Sequence, residues 1–266
     1  MSMVERLFST DTTSEKVMSH KTFALLLTLT TLLAYAPLAA RSAPLNIAVT
    51  NDDGWDSAGI RALHNAFKAA GHTVTRVGPL TQQSGSSAAI NASNLRIRRE
   101  SERTYSASLD GQEGSEPLTA GLLAIEVATA LDGSPPDWLV SGINQGANLG
   151  NATQHSGTVG AAIGALGGSF SNPVAALAVS TDEPKCDPAC VDRHYAAVAS
   201  FVVRLISSMQ DSLPAGIGLN VNYPPLPTDR IRGVRVVRQG AGFPVSGRLL
   251  KLRFACPQCA TIKDGQ

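Results

Sequence analysis

LNIAVTNDDGWDSAGIRALHNAFKAAGHTVTRVGP, residues 45–79, holds a strand, a helix and a second strand in 35 residues. Leu45 to Thr50 is a short apolar run bounded by Pro44 and an Asn-Asp-Asp-Gly turn, the pattern of a buried strand. From Gly59 to Ala70 the apolar residues Ile60, Leu63, Phe67 and Ala70 recur three and four apart. Asp56 or Ser57 can cap that helix and Gly71 can stop it. Thr73 to Val77 reads as the second strand, ending at Gly78-Pro79. Such a βαβ unit demands a parallel sheet with a right-handed crossover.

The alternation resumes downstream. Leu118 to Leu131 reads as an apolar helix, Asp137 to Ile143 as a strand, and Gly157 to Gly167 as a helix of small residues. Val174 to Ser180, Val191 to Met209 and Gly218 to Tyr223 follow as strand, long helix and strand. The fold class is therefore α/β: a three-layer sandwich with a Rossmann-like, mostly parallel sheet. Residues 81–116 are polar and Ser-rich, and alternate near Leu95 to Arg99 and Tyr105 to Leu109, so they read as an excursion containing a β-hairpin. Another alternating stretch, VRVVRQ, lies at 234–239.

Hydrophobic residues make up 43% of the 266 and charged residues 16%, which excludes a disordered polyampholyte. Residues 1–42 hold four basic and three acidic residues, so of the 22 and 21 in the chain 18 of each remain beyond them. A neutral body has no electrostatic grip on a polyanion, which argues against a nucleic-acid scaffold as partner. Its length suits one domain, residues 43–266, burying roughly 70% of its unfolded surface.

Thr22 to Ala36 is an uncharged, apolar run after His20 and Lys21, followed by Pro37 and LAARSA. Ala40 and Ser42 then stand three and one residues before a cleavage site at Ala43. Residues 1–42 thus read as a leader and signal peptide, with Met18 as a start that avoids Glu5, Asp11 and Glu15. The expected location is outside the cytoplasm, periplasmic or secreted, with no stable membrane partner; the alternative is an uncleaved N-terminal anchor. Cys186 with Cys190 and Cys256 with Cys259 form two close pairs. After export these read as two disulfides, paired locally, rather than as a zinc site.

Ligands of open parallel sheets bind at the carboxyl ends of the strands. There the chain places Asn51-Asp52-Asp53-Gly54, then Gln82-Gln83-Ser84, then Ser141-Gly142-Ile143-Asn144 and Asn148. Adjacent carboxylates are costly unless a cation neutralises them. With Ser and Asn oxygens beside them they suit one hard divalent ion, Mg²⁺ or Mn²⁺. An Asx turn on Gly54 explains the dipeptide alone equally simply. The convergence of three segments favours the metal.

Ser156, Gly157 and Thr158 open the small-residue helix and form an anion site at its N-terminus, or else merely cap it. His155, next to both, is a candidate general acid. No G-x-x-x-x-G-K-[ST] loop, G-x-S-x-G elbow or G-x-G-x-x-G after the first strand is present, which sets aside three familiar schemes. Metal carboxylates beside an anion site point to phosphate-ester hydrolysis.

At IAVTNDDGWDSAGIRAL from Ile47, SGINQGANLG from Ser141 and HSGTVGAA from His155, the chain resembles the SurE (survival protein E) family of nucleotidases. Val174 to Ser180, GLNVNYP and the Arg-Gln ending at Gln239 fit it too, so the likeness covers most of residues 45–240. The resemblance implies a metal-dependent phosphatase acting on nucleoside 5′- and 3′-monophosphates. It assigns Asp52, Asp53, Ser84 and Asn144 to the divalent ion, and Asn51, Asn148, Ser156, Gly157 and Thr158 to the phosphate. Asp52, Asp53 and His155 are then the catalytic set. It also implies a homodimer, since members exchange C-terminal elements.

Three segments depart from the family pattern. Ser87-Ala88-Ala89 replaces Gly-His-Ser, GSEPLTAG from Gly114 replaces Gly-Thr-Pro-x-Asp, and the C-terminal Gly-Tyr-x-Ser-x-Thr-Pro strand has no counterpart before Gln266. The chain thus reads as truncated at that end. The first two departures leave two alternatives to the nucleotidase open: a broad acid phosphatase, and a nucleotide- or phosphate-binding protein without turnover.

Overall fold

The computed structural model describes residues 43–111, 113–167, 173–209 and 212–242. The leader at 1–42 and the pair Cys256 and Cys259 lie outside the described residues.

Strand β1 (Asn46–Thr50) leads through helix α1 (Ala58–Ala69) to β2 (Thr73–Pro79). The hairpin strands β3 (Leu95–Ser101) and β4 (Thr104–Leu109) and the two-residue β5 (Glu113–Gly114) follow. Helix α2 (Pro117–Asp132), β6 (Trp138–Gln145), a 3-10 turn (Gly150–His155) and α3 (Gly157–Gly167) come next. β7 (Ala175–Thr181), α4 (Pro188–Met209) and β8 (Leu219–Tyr223) complete the sheet and its helices. Eight strands make one sheet in the order β3-β4-β2-β1-β6-β7-β8, with β5 on β4. The pairs β2–β1, β1–β6, β6–β7 and β7–β8 are parallel.

The α/β class and each predicted element from 45 to 223 are present, with boundaries shifted by a few residues. The expected hairpin interrupts the βα alternation and joins the sheet. β4 pairs in parallel with β2, Val77 opposite Tyr105, so the hairpin extends the sheet at that edge. β4 is covered on both faces, with Thr104, Ser106, Ala107 and Ser108 buried, while β3 outside it at the sheet edge is exposed. VRVVRQ forms no strand. Val234, Val236 and Val237 are 69%, 95% and 71% exposed, with no described strand beside them to complete a ladder.

Two unlike cores flank the sheet. On the α1–α4 side Ile47, Val49, Val140, Ile143, Leu177 and Val179 pack against Ile60, Leu63 and Phe67 of α1 and Val198, Val202 and Ile206 of α4. Each such side chain contributes roughly 1.5–3 kcal/mol by leaving water. The α2–α3 side is mostly alanine: Ala48, Ala176 and Ala178 of the sheet meet Ala120 and Ala124 of α2 and Ala162 and Ala165 of α3. The helices come close enough there that a Cβ on Gly164 would sit 2.0 Å from Leu118 Cδ1.

Cys186 and Cys190 form a disulfide with Cα atoms 5.9 Å apart, closing a short loop around the start of α4, as local pairing requires. Among the described residues no helix is long and apolar enough to cross a membrane.

Candidate active site

β1 ends in Asn51, which is fully buried. Its Nδ2 donates to the Gly54 carbonyl at 2.9 Å and to Ser57 Oγ at 2.8 Å. Ser57 stands at the N-cap of α1 without a side-chain capping bond, its hydroxyl being taken by Asn51. Gly54 turns at φ +107°. The turn is held not as an Asx turn but by the amide nitrogen of Asn51, both of whose hydrogens are spent in holding it. That turn fixes the two aspartates that the sequence assigns to the metal.

Asp52 is only 3% exposed, and its Oδ1 accepts a 2.6 Å bond from Thr158 Oγ1, across 106 residues of chain. The Thr158 backbone amide also favours the charged form of this carboxylate. Asp52 thus sits on the N-terminus of α3, where the helix dipole favours negative charge. Burial nonetheless outweighs these donors and pushes its pKa above the usual carboxylate range. The approach requires glycine at 157: a Cβ there would lie 2.6 Å from Pro117 Cγ and 2.9 Å from Asp52 Cβ. Ser156 Oγ accepts the Val159 N–H at 3.1 Å, so its hydroxyl caps the helix. At Ser156-Gly157-Thr158, the predicted cradle, Ser156 caps the helix and Thr158 bonds the protein's own carboxylate.

Asp53 Oδ2 accepts the Gln145 N–H at 3.2 Å. Burial first, then the neighbouring Asp52 charge, raise its pKa to about 6, with Glu183 adding to the effect. The segment after β2 is tied in through Gln83, whose N–H donates to the Asp52 carbonyl at 2.7 Å, and Ser84 follows with an exposed side chain.

Asn144 reaches the site through a bulge. Ser141 pairs with Ala178 but Asn144 pairs with Ser180, so three residues of β6 span two of β7. Ile143 is thereby turned into the α1–α4 core with Val140, and Asn144 goes to the opposite face, on which Ser180 and α3 lie. Its Nδ2 donates to Gly146 O at 2.7 Å, which leaves the amide oxygen as its acceptor.

Two adjacent carboxylates with raised pKa values, one buried and one half-buried, suit a hard divalent cation, whose charge would offset the repulsion. Among the described residues no group of three or more His, Cys, Asp or Glu could hold a metal.

Asn148 is clamped. Its Nδ2 donates to Ser180 Oγ at 2.7 Å and its N–H to Asn222 Oδ1 at 2.8 Å. Its carbonyl accepts from Asn220 and Asn222 at 3.0 Å each. Just before it, the Ala147 N–H donates to Asp182 Oδ1 at 3.0 Å. Sequence reasoning gave Ser180, Asp182, Asn220 and Asn222 no role. The Asn-x-Asn spacing within a strand, which sets two amides on one face, was the available signal.

His155 ends the 3-10 turn, exposed and directly before Ser156. The departing segment at Ser87 lies against this region. Ser87 Oγ donates to the Gln154 carbonyl, and a Cβ on Gly160 would sit 2.5 Å from Ser87 O.

A family model described as Survival protein SurE matches residues 47–244. The protein named 5'-nucleotidase SurE of Stenotrophomonas maltophilia (strain R551-3) is 37% identical over 198 residues, 74% of this chain and 70% of that protein. Its namesake in Syntrophobacter fumaroxidans (strain DSM 10017 / MPOB) is 38% identical over 200 residues, covering 74% and 73%. Among solved structures, the crystal structure of SurE protein from Aquifex aeolicus aligns with a TM-score of 0.61 and 29% identity, over 73% of this chain and 72% of that one.

Proposed function

The chain belongs to the SurE family, and from that premise we propose that it hydrolyses nucleoside 5′- and 3′-monophosphates to nucleoside and phosphate in the pocket built on Asp52 and α3. It is a phosphoric monoester hydrolase. The observation that carries the site is the Thr158–Asp52 bond, which joins the carboxylate pair to a helix N-terminus suited to a phosphate.

Asp52, Asp53, Ser84 and Asn144 hold the divalent ion, and Mg²⁺ or Mn²⁺ fits their oxygens best. When bound, it supplies Lewis-acid chemistry toward a phosphoryl oxygen and acidifies water. The remaining work falls to side chains and backbone. Thr158 keeps Asp52 oriented and Asn51 keeps its turn closed, while the N–H groups of Gly157 and Thr158 face negative charge with Ser156. Asn148, fixed by Ser180 and Asn222, lines the phosphate. His155 stands beside Ser156 as a proton-handling group. The apolar run at 22–36 and the Cys186–Cys190 disulfide support an exported enzyme.

The test is phosphate release from AMP by the purified chain, first in EDTA and then with Mg²⁺ or Mn²⁺. Metal-restored release is expected. Undiminished release in EDTA would overturn the metal assignment. Faster release from simple alkyl phosphates than from nucleotides would make it a broad phosphatase, and no release from any ester would leave a binding protein.

A further inference from the structure

Residues 232–242 follow a 3-10 turn (Thr228–Arg230) with no regular secondary structure, and their valines are exposed, so apolar burial does not fix their path. Four polar contacts do, all on the turn Gly150–His155. Gln239 Nε2 donates to the Gly150 carbonyl at 3.0 Å and to Thr153 Oγ1 at 2.7 Å. The Asn151 N–H donates to Gly242 O at 3.1 Å, and Asn151 Nδ2 donates to the Ala241 carbonyl.

The turn is shaped to receive the tail. Gly150 has φ +53°, and a Cβ there would lie 2.1 Å from Gly242 O, so only glycine admits the approach. Thr153 is 6% exposed and already donates to Gly150 O at 2.8 Å, which makes its hydroxyl oxygen the acceptor for Gln239. The same turn connects Asn148 to His155 and Ser156, and the Ser156 N–H donates back to Thr153 O at 3.2 Å. A single 3-10 turn has poor intrinsic hydrogen-bond geometry, so an outside clamp decides how sharply it is held.

We infer that Gln239 is a positioning residue for the phosphoryl-transfer site: the strap Gln239–Gly242 latches the turn that sets His155 and Ser156. This rests on the functional reading above. Gln239 touches no reacting group and acts through Thr153 and Gly150. Its amide must donate, because both partners present oxygen.

The test uses the full chain and two readouts, AMP hydrolysis and amide hydrogen exchange. Gln239→Ala is expected to lower kcat/KM about tenfold, mostly in kcat, since misplaced groups cost rate before affinity. Exchange at Asn151 to Ser156 should accelerate while β1 and β6 stay protected. Gln239→Glu keeps the length but sets a carboxylate against two oxygens, so it should not rescue. Gly150→Ala, which unseats Gly242, should give the same loss, with no further loss when combined with Gln239→Ala. Wild-type kcat/KM and exchange in both Gln239 variants would overturn the latch, as would faster exchange throughout the sheet. If the unaltered chain hydrolyses no nucleotide, the functional reading fails, and exchange at the turn still reports on the strap.

Discussion

The two faces of the sheet are built to different ends. Between the sheet and α1–α4 lie Phe67, Leu63, Ile60, Ile143 and Leu177, all fully buried. Between the sheet and α2–α3 lie mostly alanines, with glycines on the helices and a few larger residues such as Ile125 and Leu139. Large side chains remove more apolar surface from water, so the first face supplies most of the stabilisation. Small ones let backbones approach, so the second brings the α3 N-terminus onto Asp52. Stability and positioning are thus divided between the faces of one sheet.

The sharpest way to break this division is Phe67→Ala. It should cost about 3–5 kcal/mol in urea unfolding, yet leave kcat per folded molecule unchanged. A matching loss of kcat would show that the faces are not separable. Gly157→Ala should do the reverse, cutting kcat/KM about 100-fold with a smaller loss of stability, because its Cβ displaces Asp52 and Pro117. Thr158→Val, which keeps the shape and removes the hydroxyl, should weaken metal affinity or activity roughly 10- to 100-fold, and Thr158→Ser should restore most of it.

Acid should separate the regions further. Asp53 has its folded pKa raised to about 6 from 3.8, so the metal-free chain loses this contribution to stability as pH rises through 6. A cation competes with that proton. Added Mg²⁺ should therefore raise Tm by several degrees more at pH 7.5 than at pH 5. His64 on α1 behaves oppositely. Burial, then Arg76 and Lys68, lower its pKa from 6.5 to about 4, so the folded chain loses stability as pH falls from 6.5 to 4. His64→Gln should flatten the acid limb of the unfolding curve, the smallest of these effects.

Much of this was legible in residues 45–79 and in the segments after each strand. Leu63 and Phe67 are read by helical spacing, and Asn51 to Gly54 by turn chemistry, because both depend on neighbours a few residues away. Asn144 was legible as a residue type but not as a geometry. Its side chain faces α3 only because β6 gains a residue against β7 between Ser141 and Asn144, and alternation alone would have pointed it to the other core. The hairpin at 95–109 was legible, but its place beside β2 was not, since pairing with β2 is set by two strands with no local signal for each other.

The sequence by itself determined the order of strands and helices, the oxygen-rich ends of β1, β2 and β6, and the small-residue opening of α3. Only the tertiary structure decided that Thr158 spends its hydroxyl on Asp52, that Asn220 and Asn222 grip Asn148, and that Gln239 meets Thr153. Those bonds span between 72 and 106 residues. Local patterns are written by the few dihedrals around each residue, whereas contacts at such separations exist only once the whole sheet has closed and its two faces have chosen large or small side chains.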